Sequence, residues 1–143
     1  WGMRAEKNVK TALTEQYRSV ERLSSFAAGK CQRCNTVQFP QLPYCVNPAC
    51  HAPRSEFNDV HLFDEKAQVL TYTADWLTYH PAPPLYVGFV QFDNGARLLM
   101  EMVDVGAQGL DVGIALRMVF RIKDIDKTRG YARYFWKATP LSA

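Results

Sequence analysis

The chain has 143 residues, 48% of them apolar and 22% charged. That balance excludes intrinsic disorder and suits one globular domain, or a domain with a small added module. The formal net charge of +3 is modest and uneven, since residues 1–56 carry eight Lys or Arg against four acids and residues 57–143 carry nine against ten, so the larger part does not read as a polyanion binder.

The opening WGMRAEKNVK lacks the apolar centre of a signal peptide. No apolar run reaches transmembrane length, so no membrane association is expected and cytoplasm is the expected location. Residues 1–29 read as a helical arm. No proline occurs over 3–28, and good helix formers are common there. Leu13, Tyr17, Val20 and Leu23 mark one apolar stripe. Thr11, Thr14 and Glu15 offer a later start near residue 12. The end is expected near Ala27–Gly29, with Gly29 as a left-handed cap. The stripe packs either on the protein's own body or on a partner subunit. Lys7, Lys10, Arg18 and Arg22 give the arm a basic side that could lie beside the phosphates of an acidic ligand. Exposed basic residues on a helix are more often simply solvated.

Residues 30–56 hold all four cysteines, in CQRCNTVQFPQLPYCVNPAC. Cys31 and Cys34 form a CxxC pair, and Cys45 and Cys50 form a second, wider one. Two such loops can turn four thiolates onto one ion, and zinc favours that tetrahedral sulfur set. The reading is a structural zinc ribbon with Cys31, Cys34, Cys45 and Cys50 as ligands, joined by a hairpin through Val37, Phe39 and Leu42. Two disulfides, an iron–sulfur centre or free thiols are the alternatives. Four thiolates leave no open position for a catalytic water. His51 follows Cys50 directly and is read as a neighbour, not a ligand. Phe39 and Tyr44 are expected to cover the thiolates or to face the next domain. Residues 51–56 read as a polar linker, and Arg33 and Arg54 can offset the charge of the metal site.

Residues 57–143 change to strand-like runs rich in Val, Leu, Phe, Tyr, Thr and Trp: VHLF, QVLTYTADWLTY, LYVGFVQFDNG, ARLLMEMVDV, ALRMVFRIKDI and ARYFWKAT. Asn94-Gly95 predicts a type I′ hairpin with two positive φ angles. Ala96, Leu98, Met100 and Met102 form one face, as do Leu116, Met118, Phe120 and Ile122. Gly113 is expected to set a bend. About five main strands behind a zinc module predict a mainly β chain whose C-terminal part is an OB-fold barrel. His51, His61 and His80 make no motif with an acid and a nucleophile, and Asp75 and Asp93 have no spaced carboxylate partner. No glycine-rich phosphate loop is present. The expectation is a chain without catalytic residues of its own.

These motifs taken in order resemble the DUF35 family: the CxxC pair with the following FP, the second Cys pair, TYTADW, YVGFVQFDNGARLLMEMVDV, VGIALRMVF and YFWKATP. The match covers roughly residues 25–140. The resemblance implies a rubredoxin-like zinc ribbon joined to an OB fold. It also implies a companion subunit of an acyl-CoA enzyme, with the catalytic residues on a thiolase-fold partner. The expected function is therefore support of an acyl-CoA thiolase (acyltransferase) complex. Its reaction would be β-ketoacyl-CoA thiolysis, with a bulky or aromatic acyl group as a refinement. A partner role with a steroid side-chain acyl-CoA aldolase is the alternative within the family. A single-stranded nucleic-acid-binding OB protein is an alternative outside it, disfavoured by charge. If coenzyme A touches this chain, Arg33, Arg54 and Arg97 are candidates by type, with Phe39, Trp76 and Tyr79 as a neighbouring wall. Two departures from the family stand out, CVNPAC in place of a tight CPxC and FPQ in place of FPP. The long N-terminal helix is an elaboration that points to a dedicated partner.

Overall fold

The computed structural model describes residues 13–141, with side chains described from Tyr17 onward; Lys7 and Lys10 lie outside the described residues. One helix, α1 (Leu13–Ser24), leads into nine strands. The first three form a small antiparallel sheet in the order β2 (Val37–Gln38), β1 (Ala27–Cys31), β3 (Phe57–His61). A 3-10 turn at Arg54–Glu56 precedes β3. Residues 51–56 are therefore not a loose linker. The Cys45 amide donates to Ala52 O and the Arg54 amide to Pro43 O, both at 2.9 Å.

The remaining strands are β4 (Ala67–Val69), β5 (Thr73–Asp75), β6 (Leu85–Phe92), β7 (Arg97–Met102), β8 (Ala115–Asp126) and β9 (Tyr131–Pro140). Pairing runs β4–β6–β7–β9–β8 and back to β4, which closes a five-stranded barrel of the expected OB type. The β7–β9 contact is parallel and the other pairings are antiparallel. Closure covers the strand edges where the ring meets, at Ala115–Leu116 of β8 and at Met102 and Ala138 of β7 and β9. β4 and β5 are two halves of one bent strand along β6. Val69 faces Val90 and Thr73 faces Val87, so four steps on one side match three on the other. The amides of Leu70 and Thr71 both donate to Phe89 O, the signature of a bulge. Gly88 permits this approach, because a Cβ there would sit 2.0 Å from Thr71 O.

Alternation places Ala96, Leu98, Met100 and Met102 inside, with Leu116, Met118, Val69, Val90 and Phe92. Each such burial stabilises by about 1.5–3 kcal/mol for the larger side chains. On β8 the inward face stops at Met118. Phe120 and Ile122 are half-exposed, because β8 and β9 outrun the barrel as a long hairpin past the reach of β4. The Asn94-Gly95 turn also differs from expectation. Only Gly95 has positive φ, the Gly95 amide donates to Phe92 O, and Phe92 pairs with Ala96. This is a three-residue loop with a left-handed glycine, not a type I′ turn. Gly113, at φ 86, makes the expected bend and donates to Val69 O.

Helix α1 ends earlier than the glycine predicts. Phe26 takes the left-handed conformation at φ 48, and the Trp136 indole N–H reaches the carbonyls of Leu23 (3.0 Å) and Ser24 (3.2 Å). The cap is thus a distant side chain that satisfies orphan carbonyls. Gly29 instead lies in β1, where a Cβ would meet Phe57 Cδ1 at 3.0 Å. Phe26 is fully buried and sits at the junction of all three parts. Its ring stacks on Trp136 at 5.8 Å and meets Phe39 (5.1 Å), Phe135 (5.7 Å) and Phe92 (6.0 Å) edge-on. Phe39 therefore faces the barrel, and Tyr44 is exposed.

Candidate metal centre

The sulfur atoms of Cys31, Cys34, Cys45 and Cys50 lie within 4.8 Å of one another. Cys31 and Cys50 are 3.8 Å apart, and Cys34 and Cys45 are 3.5 Å apart. A tetrahedron with zinc–sulfur arms of 2.3 Å has edges of about 3.8 Å, whereas a disulfide needs about 2.05 Å. All four cysteines are free thiols in this geometry. The set could hold a metal ion such as zinc and does not form two disulfides.

Each loop folds in the same way. Asn35 follows Cys34 and His51 follows Cys50, and both have positive φ, at 59 and 48. Asn and His tolerate that region better than most residues. The Asn35 amide donates to Cys31 O and the Cys50 amide to Asn47 O, both at 2.9 Å. His51 is exposed and does not join the cluster. The wider second loop is held by Gln38, which is only 5% exposed. Its Nε2 donates to Tyr44 O at 3.0 Å, and its Oε1 accepts from the Val46 amide at 2.9 Å. Nothing in local spacing marks Gln38. A lone amide in the short strand beside Phe39-Pro40 is its only signal, and sequence reasoning passed over it. Gln38→Ala is expected to leave both Tyr44 O and Val46 N–H unpaired and to weaken zinc binding about 10–100-fold, read by competition with a chromogenic chelator.

The thiols are not equivalent. The hydroxyl of Thr36, 3.2 Å from Cys34 Sγ, and its amide donate to the thiolate and bring Cys34 down to about 6. Burial pushes Cys45 up to about 11. At Cys50 the Ala52 amide favours the thiolate, but burial and the neighbouring thiols Cys34 and Cys31 raise it overall. Arg33 stands beside the cluster, paired through two N–H groups with Glu56. Glu56 raises its pKa first by hydrogen bonding and then by charge, with Cys50 and Cys31 adding to that.

The other candidate residues are scattered. Arg54 donates to Gln41 Oε1 at 2.7 Å on the ribbon, and Arg97 is exposed on β7. Trp76 and Tyr79 are exposed in the loop between β5 and β6. His61 Nδ1 lies 2.9 Å from Ser25 O, and His80 folds onto its own loop at Ala82. No histidine has an acid and a nucleophile beside it among the described hydrogen bonds. No described helix is long and apolar enough to cross a membrane.

No protein-family model matches the chain. A DUF35 domain-containing scaffold protein of Methanocaldococcus jannaschii is 29% identical over 119 residues, covering 78% of this chain and 79% of that protein. A second DUF35 domain-containing scaffold protein, from Methanothermobacter thermautotrophicus, is 23% identical over 133 residues, covering 91% and 97%. Among solved structures, a chain of the Ltp2-ChsH2(DUF35) aldolase superposes with a TM-score of 0.63 at 18% identity, covering 93% of this chain and 97% of that one. The resemblance to DUF35 proteins holds in sequence and in fold.

Proposed function

We propose that this DUF35-like chain is a zinc-stabilised companion subunit that assembles with a thiolase-fold catalytic subunit acting on acyl-CoA thioesters. The observation that carries the reading is the match, over 91% of the chain, to a relative named as a scaffold protein. The closed four-sulfur cluster agrees with it, since such a set shapes a module and leaves no position for substrate. Cys31, Cys34, Cys45 and Cys50 would hold the zinc, which supplies structure, not chemistry. In this reading the helix serves as arm and β4–β9 as barrel, while the ribbon takes in β1 and β3 and so runs from Ala27 to His61, wider at both ends than the expected 30–56. The reaction of the complex would be β-ketoacyl-CoA cleavage, with a bulky or aromatic acyl group. The coenzyme A thioester would be bound chiefly by the partner. A second reading, in which the partner is an aldolase, is favoured by the fold match to an aldolase complex.

The test is co-expression with the thiolase-fold subunits of the same genome, followed by gel filtration, metal analysis and thioester turnover. A heteromer with one zinc per companion chain, and faster turnover than the partner alone, is expected. Absence of any complex and of any gain in turnover would overturn the proposal.

A further inference from the structure

The sulfur cluster is closed on one side and reachable on the other. Cys31 and Cys45 are buried, whereas Cys34 and Cys50 are half-buried. Its two near contacts run between the loops, not within them. Cys34 of the first loop meets Cys45 of the second at 3.5 Å, and Cys31 meets Cys50 at 3.8 Å. Each pair therefore joins a sulfur that solvent reaches to one that it does not. Thiol oxidation follows thiolate character and access together.

The two reachable sulfurs differ in their support. Cys34 has two donors, the Thr36 hydroxyl at 3.2 Å and the Thr36 amide, and Cys50 has the Ala52 amide. A thiolate that keeps such donors loses least on leaving an ion. Cys34 also has the nearer sulfur beside it. A disulfide of about 2.05 Å needs these two atoms to close by about 1.5 Å, a small movement for side chains on two short loops. The bridge would span the loops that the metal otherwise ties, whereas a bridge within the Cys31–Cys34 pair would not. That difference matters here, because the module has almost no apolar substance apart from its sulfurs.

We propose that the ribbon is a peroxide-responsive latch, in which a Cys34–Cys45 bridge replaces the metal as the tie between the two loops. The inference rests on the zinc reading of the cluster and adds a regulation to it. Cys34 Sγ attacks a peroxide oxygen; the S–O bond forms, the O–O bond breaks, and hydroxide leaves to be protonated by solvent. Cys45 Sγ then attacks Cys34 Sγ; the S–S bond forms, the S–O bond breaks, and a second hydroxide leaves. The two sulfurs give up two electrons, and the peroxide ends as two waters. Cys31 and Cys50 are left as thiolates, too few to make a closed four-sulfur site. Two equivalents of a small thiol reverse the bridge by exchange.

The test treats the zinc-loaded full chain with excess hydrogen peroxide and follows metal, thiols and backbone. One zinc per chain should reach a chromogenic chelator as the bridge forms. Peptide mapping after alkylation should give a Cys34–Cys45 bridge with Cys31 and Cys50 alkylated, and a 1,3-dicarbonyl probe for sulfenic acid should label Cys34 first. Hydrogen exchange over residues 31–54 should stay slower in the bridged chain than in the reduced chain stripped of zinc. Dithiothreitol with added zinc should restore the starting state. Thr36→Val keeps the side-chain shape without the hydroxyl and is expected to form the bridge about tenfold more slowly, while Thr36→Ser matches the parent. Zinc retained under peroxide, a first bridge at Cys31–Cys34 or Cys31–Cys50, or an unchanged rate in Thr36→Val overturns the latch and leaves the zinc reading standing. A reduced, purified chain that binds no zinc removes both.

Discussion

Replacing Cys31 by serine is expected to abolish stoichiometric zinc binding and to melt the two cysteine loops while the barrel stays folded. The reason lies in how the buried residues divide. One cluster contains Cys31, Cys45 and Ala52, with Cys34, Cys50 and Phe57 against it. The other joins Phe26, Ala28, Val37 and Leu62 to the barrel interior. The first has almost no apolar substance apart from the sulfur atoms. A module of that kind takes its folding energy from the metal, on the order of 10 kcal/mol in comparable small zinc peptides. Cys31 is fully buried, so a hydroxyl there offers neither a thiolate nor water in its place. Hydrogen exchange should lose protection over residues 31–54 and keep it along β6–β9. Loss of protection through the barrel, or retention of one zinc per chain by atomic absorption, would contradict this division. Acid should act in the same direction as the substitution. Binding must displace the protons that burial keeps on Cys45, at about 11, and on Cys50. Zinc affinity therefore falls as pH falls.

The second large effect is expected at Phe26. Phe26→Ala removes a side chain that touches Phe39 from the ribbon, Phe92 and Phe135 from the barrel, and Trp136, the residue that caps α1. Large-to-small replacement of a buried phenylalanine costs about 3–5 kcal/mol. Here the hole opens at the place where three parts meet. Helix, ribbon and barrel should therefore lose their mutual order as well as stability. The expected result is a fall in the denaturant midpoint together with early exchange of the α1 amides. Zinc is retained, because the thiol cluster is a separate unit. Trp136→Phe should give the milder version, keeping the stacking but losing the N–H that reaches Leu23 and Ser24, at about 1 kcal/mol.

How much of this was legible in the residues depends on the distance over which each feature is determined. The cysteine pairs and the inward row Ala96, Leu98, Met100 and Met102 are set by spacing within one short segment, and they stand where spacing puts them. The helix end was misplaced because its cap lies 113 residues away on Trp136, and no local pattern carries that. Phe120 and Ile122 keep the alternation of Leu116 and Met118, but periodicity does not say where a barrel stops. Asn94-Gly95 signalled a turn correctly. It could not specify whether one or two residues adopt positive φ, since asparagine accepts either conformation. Gln38 escaped notice for a related reason. Its role lies in the backbone atoms of Tyr44 and Val46, which only the folded loop brings to it.

The ring order has a consequence for synthesis. β9, the last barrel strand along the chain, sits between β7 and β8 and supplies the parallel contact between Met102 and Ala138. As the polypeptide leaves the ribosome, the cysteine loops emerge complete and can take up their ion long before that gap is filled. The exposed margins of β7 and β8 must wait for residues 131–140. A stalled or shortened nascent chain would therefore carry a finished ribbon beside an open sheet whose unpaired margins favour aggregation.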